Sequence, residues 1–227
     1  MKTSTQVVVI GGGVVGASIL YHLTKAGWTD VVLVERKELT AGSTWHAAGG
    51  MLTLNGDPNI AALQRYTVQL YKDIEEISGV SCGIHQTGEL MLADTEERLD
   101  WLRMINARGQ YLSMETEMIS VSEAKEMLPI LEEKHFAGAM WDPVGGHVDP
   151  SGVTNAYAAA ARMAGAEVYR NTWAHDLVQK NDGTWDVVTE QGTINTEHIV
   201  NCGGLWAREV GRMCGIELPI LAMEHMY

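Results

Sequence analysis

A β-branched, apolar run from Gln6 to Ile10 leads straight into Gly11-Gly12-Gly13-Val14-Val15-Gly16, and Ile19, Leu20 and Leu23 follow at helical spacing. Strand, tight turn and helix in that order leave few folds open, because the glycines stand where a side chain would obstruct. In a dinucleotide-binding turn Gly11 makes the bend, Gly13 lets the backbone approach a diphosphate, and Gly16 lets helix and strand pack closely. The helix start offers the N–H groups of Val14 and Val15, with a partial positive charge, to an anion. Gly27 closes the helix. Val31 to Val34 reads as a second parallel strand buried on both faces, ending in Glu35, 19 residues past Gly16. A carboxylate there accepts hydrogen bonds from an adenosine ribose and repels a 2′-phosphate. NADP is therefore disfavoured, while NAD and FAD both remain open.

Past Glu35-Arg36 comes Gly42-Ser43-Thr44-Trp45-His46-Ala47-Ala48-Gly49-Gly50, small residues around one histidine. Small side chains let a flat ligand approach the backbone, and Ser43 and Thr44 add hydroxyl groups. From these residues alone, a surface loop with an incidental histidine is the stronger reading, and the stretch before it is what favours a flavin-holding one. The position, just beyond the strand that ends in Glu35, is where a chain would pass from adenosine towards a flavin ring.

The 227 residues can bury one large core or two small ones. A formal net charge of -13 argues against nucleic acid or an anionic membrane as partner. No apolar run reaches the ~20 residues of a membrane span, and Met1 to Gln6 is too short and polar for a signal peptide. The default expectation is a cytoplasmic protein, or a mitochondrial-matrix one if a presequence has been removed. Cys82, Cys202 and Cys214 are odd in number and far apart, which favours reduced thiols over zinc or a redox disulfide.

Further on, Pro58 to Gly79 reads as an amphipathic helix burying Ile60, Leu63, Leu70, Ile74 and Ile77. Gly88 to Ala93 reads as a strand, Thr95 as an N-cap before Leu99, Leu102 and Ile105, and Ser122 as the cap of a helix that Pro129 stops. The segment Asp142 to Pro150 turns the chain into a helix capped by Asp149 or Ser151, so His147 and Asp149 read as a turn and a cap before they read as residues near a substrate. Glu167 to Arg170 is a third parallel strand. Trp173–Gln179, Trp185–Glu190 and Thr193–Glu197 form an antiparallel meander, and His198–Asn201 a further strand. That strand runs into Gly203 and Gly204, bringing backbone close to the cofactor a second time.

The wording and position of Glu35-Arg36 and of Leu39 to Gly49 resemble the dimethylglycine and sarcosine dehydrogenase family, FAD-dependent amine-oxidising flavoproteins of the D-amino-acid-oxidase-like superfamily. The resemblance implies oxidation of a small N-methyl amino acid such as dimethylglycine or sarcosine, with FAD bonded covalently through His46. It implies cofactor contacts along Gly42 to Gly50, at Arg36, at Ala174 leading into the meander, and at Trp206, which otherwise reads as a core aromatic at a helix start. It also places His225 beside the substrate, where a histidine helps keep a bound amine neutral. Tetrahydrofolate is implied for longer relatives, and an electron-transfer flavoprotein or oxygen as acceptor. The expected fold is α/β: a Rossmann-like FAD-binding domain (1–80 and 145–215) with a parallel sheet and an antiparallel meander crossover, and a truncated α+β substrate domain (81–144 and 216–227). The chain then reads as an N-terminal fragment. Rival readings are an FAD enzyme for another secondary or tertiary amine, a catalytically silent regulatory subunit, and a plain NAD-binding module.

Overall fold

The computed structural model describes residues 1–224. In chain order the elements are β1 (Ser4–Ile10), α1 (Val14–Lys25), β2 (Val31–Val34), β3 (Gly50–Met51), α2 (Pro58–Ser78), β4 (Glu89–Ala93), α3 (Glu96–Tyr111), β5 (Glu117–Ile119) and α4 (Val121–Met127). After them come β6 (Gly138–Asp142), β7 (Gly146–His147), α5 (Pro150–Met163), β8 (Glu167–Tyr169), β9 (Ala174–Gln179), β10 (Trp185–Thr189), β11 (Gly192–Asn201) and α6 (Ala207–Met213). They divide into two compact units, Met1–Ala48 with Ile74–Cys82 and Asp149–Tyr227, and Gly49–Asp73 with Gly83–Val148. The sequence-drawn boundaries differ from these at Gly49–Asp73, which groups with the second unit, and beyond residue 215, which groups with the first.

The first unit is built on a six-stranded sheet in the order β8-β2-β1-β11-β10-β9. Its four strands from β8 to β11 run parallel, and β10 and β9 continue it antiparallel. Strands β1 and β2 are apolar runs because both faces are covered. Val31 to Val34 are all buried, as the absence of alternation predicts. One face holds the cluster of Val8, Ile10, Val32, Val34, Leu177, Val187, Ile194 and Val210. Helix α5 packs on α1, with the Tyr157 ring tilted against that of Tyr21 at 5.6 Å between ring centres. At its end α1 closes on Gly27 (φ +93), whose N–H bonds the Thr24 carbonyl while the Trp28 N–H bonds that of Leu23.

One expectation fails here for a clear reason. Thr193–Glu197 and His198–Asn201 are a single ten-residue strand, β11, which pairs with β10 from Gly192 to Thr196 and with β1 from Asn195 to Asn201. A strand that changes partners part-way carries no turn signal, yet its pattern of neighbours changes, and the sequence reads as two strands.

The second unit has the three-stranded antiparallel sheet β4-β6-β5 and the two-stranded pair β3-β7. Helix α3 buries Leu99 and Leu102 against Ala93 and Met140, with Thr95 capping it through the Arg98 N–H at 3.1 Å. The cap of α4 is Ser120, not Ser122. Its hydroxyl accepts the Glu123 N–H while the Glu123 carboxylate accepts the Ser120 N–H, a reciprocal pair that fixes the start two residues earlier. Helix α2 also departs from expectation: Leu70 and Ile74 are buried, but Ile60, Leu63 and Ile77 are exposed and Ala61 and Val68 are buried instead. Ala61 and Val68, seven apart, share one face and Leu70 and Ile74, four apart, share another. A helix buried on two faces in succession has no single apolar stripe.

Candidate dinucleotide-binding site

Ile10, Val34, Tyr169 and Asn201 end their strands in register. The register persists one residue further: Gly11 N–H donates to the Val34 carbonyl, Glu35 N–H to that of Tyr169 and Cys202 N–H to that of Ile10, at 2.8 to 2.9 Å. Four segments thus leave the sheet at the carboxyl edge, where open α/β sheets take ligands.

The turn after β1 tolerates no side chains at its ends. Gly11 has φ +116, and a Cβ there would stand 2.3 Å from the Cys202 carbonyl oxygen; one at Gly16 would stand 1.9 Å from that of Gly11. Gly13 is different, since a Cβ would meet only the Thr44 Oγ1, at 3.0 Å. That hydroxyl accepts the Val14 N–H at 3.0 Å, and Gly13 itself brings no side-chain cap to α1. Thr44 thus takes the Val14 N–H that the sequence assigns to an anion, a correction to that expectation, while Val15 projects outward from a helix start of the kind that receives a diphosphate.

Glu35 is held over this turn. Its Oε2 accepts the Gly12 N–H at 2.7 Å and its Oε1 accepts the Lys37 N–H at 2.8 Å, and each oxygen keeps a lone pair for a hydroxyl donor. The Arg36 guanidinium stacks 3.7 Å over the Trp206 ring, and a Cβ on Gly42 would lie 3.6 Å from Cζ3 of the same ring. Gly203 N–H donates to the Asn201 side chain at 3.1 Å, Trp206 N–H donates to the Gly203 carbonyl at 2.9 Å, and the Asn201 amide donates to the Ala207 carbonyl at 2.8 Å. Ala174, the first residue of β9, is buried; two residues before it the Thr172 N–H donates to the Glu35 carbonyl at 2.8 Å.

Ser43–His46 is one turn of 3-10 helix and not irregular loop, with Ser43, Trp45, His46, Ala47 and Ala48 exposed. The Nδ1 of His46 lies 3.1 Å from the Gly42 carbonyl oxygen. A carbonyl only accepts, so this contact places the proton on Nδ1 and leaves the Nε2 lone pair free. Trp45 lies against the imidazole at 3.9 Å between ring centres. Gly49 (φ +82) and Gly50 fall in the second unit, where Gly50 pairs with His147.

The structure therefore brings Gly11 to Gly16, Glu35, Arg36, Gly42 to His46, Gly203 and Trp206 to one edge of one unit. His147 belongs to the second unit, its ring stacked on His85 at 4.9 Å, and Asp149 caps α5 through the Ser151 N–H at 2.9 Å. His225 lies outside the described residues. Burial pushes the Cys202 thiol up to about 11, which makes it a packing residue and not a nucleophile.

Sequence reasoning missed two residues of this edge. Thr40 has φ +71, strained for a β-branched residue; its N–H donates to the Gly12 carbonyl at 3.0 Å and its carbonyl accepts the Trp45 N–H at 3.4 Å. Nothing in a threonine announces that conformation. Asn201 was legible in principle, since an Asn two residues before a Gly often closes a turn through its side chain.

A family model described as FAD dependent oxidoreductase matches residues 6–227. The chain is similar to the mitochondrial dimethylglycine dehydrogenase of Homo sapiens, 41% identical over all of this chain and 26% of that protein. It is also similar to the mitochondrial pyruvate dehydrogenase phosphatase regulatory subunit of Mus musculus, 36% identical over all of this chain and 26% of that protein. Among solved structures, L-proline dehydrogenase from P. horikoshii superimposes with a TM-score of 0.89 at 30% identity, over 97% of this chain and 58% of that one. The chain thus spans about a quarter of the length of these two curated relatives.

Proposed function

The chain belongs to the FAD-dependent oxidoreductase family, and from that premise we propose that it is the cofactor-binding portion of an enzyme oxidising a small N-methyl amino acid, dimethylglycine or sarcosine, with FAD bonded to His46. FAD supplies the two-electron acceptance that removes a hydride from a carbon attached to nitrogen. The Gly11–Gly16 turn and the start of α1 would hold the diphosphate, Glu35 the adenosine ribose, and the segment from Gly42 the flavin. The observation that carries the reading is His46 itself: an exposed imidazole whose Nδ1 is engaged by Gly42 and whose Nε2 is free to form a bond. Attachment at His46 would replace one imidazole N–H and one C–H of the flavin methyl group by a C–N bond, with the two electrons and two protons going to dioxygen, and His46, held by Gly42 at Nδ1, would supply the nitrogen. His225 would stand on the substrate side, keeping the amine unprotonated.

Anaerobic mixing of the purified full-length protein with dimethylglycine, sarcosine and, as control, glycine tests the substrate class. The N-methyl compounds should bleach the yellow absorbance and glycine should not. Bleaching by glycine alone would overturn the assignment. Adding oxygen, or an electron-transfer flavoprotein, to the bleached protein then identifies the acceptor.

A second reading is a regulatory subunit that keeps the fold without the reaction, favoured by the similarity to the phosphatase regulatory subunit over the same share of chain. It predicts that none of the three compounds bleaches the protein.

A further inference from the structure

We propose that helix α3 carries an interface for a second copy of this protein, in which two α3 helices pair antiparallel about a two-fold axis at Met104. The inference stands on the second unit alone and is independent of the flavin reading.

Helix α3 has two opposite faces with the same spacing. Leu99, Leu102, Asn106 and Gly109, separated by three, four and three residues, are buried. Two residues on, about 200° around the helix, Trp101, Met104, Arg108 and Tyr111 repeat that spacing in solvent. Trp101 is 39% exposed, Met104 58% and Tyr111 83%, and Arg108 is exposed with them. Glu97, also exposed, extends the stripe by one turn at its start. Large apolar side chains aligned at the a and d positions of a heptad form a seam for another helix, whereas a solvated face would carry them singly.

The polar members of the stripe identify the helix that fits it. Asp100 is already paired with Arg103 at 2.6 Å, and the Arg98 guanidinium lies 4.0 Å over the Trp101 ring. Glu97, Arg108 and the Tyr111 hydroxyl have no side-chain partner among the described residues. In a parallel pair each stripe residue meets its own copy, so Arg108 faces the partner's Arg108 and Glu97 faces the partner's Glu97. Like charges then meet twice. An antiparallel pair centred on Met104 sets unlike groups together: Trp101 against the partner's Arg108, a cation with an aromatic ring, and Glu97 against the hydroxyl of the partner's Tyr111. The same contacts recur in reverse across the axis, as a two-fold interface requires. Met104 packs on the partner's Met104 between them. The stripe is complementary to itself in this one orientation, and that is the argument for a second copy as its occupant. A seam of 16 residues is only about 24 Å long, so the interface falls at the small, reversible end of the range.

Sedimentation velocity of the full-length protein tests this at ~0.15 M salt, where a Debye length of about 8 Å screens the net charge of each copy. A monomer–dimer equilibrium should appear between about 1 μM and 0.1 mM. Met104→Glu, which sets two carboxylates together on the axis, should raise the dissociation constant at least about tenfold. Arg108→Glu, which removes the cation opposite Trp101, should act in the same direction. Both positions are exposed, so circular dichroism should show the fold unchanged in each variant. Orientation is read by oxidative cross-linking: Met104→Cys should form a disulfide-linked dimer and Tyr111→Cys should not, whereas a mixture of Glu97→Cys and Tyr111→Cys proteins should. A monomer throughout that concentration range would overturn the proposal, as would a dimer that both glutamate variants leave unchanged, or efficient cross-linking of Tyr111→Cys alone. Protection of Trp101 and Met104 from hydroxyl radicals in a monomer would place another segment or another protein on this face, and would overturn it equally.

Discussion

Gly16 sets the hardest steric limit in the candidate site. A methyl group there would meet the Gly11 carbonyl at 1.9 Å, far inside any real contact, and the obstructing atom is backbone that is itself locked at φ +116 against Cys202. Gly16→Ala should therefore cost about 3 kcal/mol or more, seen as a lowered thermal midpoint by circular dichroism, whereas Gly27→Ala, with nothing near its Cβ but φ at +93, should cost only the about 1 kcal/mol of a strained backbone. Equal losses would mean that crowding at the turn is not what requires glycine. These roles were legible in the sequence because glycine spacing reports close approach directly. Thr40 was not legible, because its strained backbone is imposed by Gly12 and Trp45, residues on either side of it in the fold.

At the scale of elements, the starts and ends of helices carry testable energies. The Ser120–Glu123 box supplies two partners to the first turn of α4. Ser120→Ala should lower stability by about 1 kcal/mol in chemical denaturation, and Ser122→Ala should change little. The sheet of the second unit holds an opposing term. Glu89 and Asp142 face each other across β4 and β6, and the Glu89 Oε2 is buried without a hydrogen-bond partner. Burial first, and the Asp142 charge second, hold the Glu89 carboxyl above its usual value of 4.5. A carboxyl whose folded pKa is raised binds its proton more tightly when folded. Stability is therefore favoured below the unfolded value and declines as pH rises from there through the folded pKa. Glu89→Gln should stabilise the protein at pH 7 and lose that advantage below pH 4.5; a destabilised variant at neutral pH would show that the charge is compensated. Strand β11 and helix α2 were misread at this same scale. In each, one continuous element serves two sets of neighbours in succession, and periodicity assumes only one.

For the molecule as a whole, the alignment of four strand ends does what no single motif does. It gathers Gly11, Glu35 and Cys202 along one edge, so that a turn, a carboxylate and a second turn face the same space. The parallel sheet and its ligand edge could be read in the sequence, because buried parallel strands and their glycine turns leave strong local patterns. The division into two units was drawn less well: Gly49–Asp73 follows the dinucleotide segment in sequence but belongs with the antiparallel sheets. Long-range pairing of Gly50 with His147 decides that, and no local pattern encodes a partner 97 residues away.

The central claim is that His46 is the point at which this protein holds its flavin. Acid precipitation of the full-length protein, followed by the absorption spectrum of pellet and supernatant and the mass of the peptide containing His46, tests it most directly. The account predicts yellow colour that stays with the pellet, a His46 peptide heavier by one FAD, and loss of both in His46→Ala. Free FAD in the supernatant with an unmodified His46 peptide, or a His46→Ala protein that still carries covalent flavin, would contradict it.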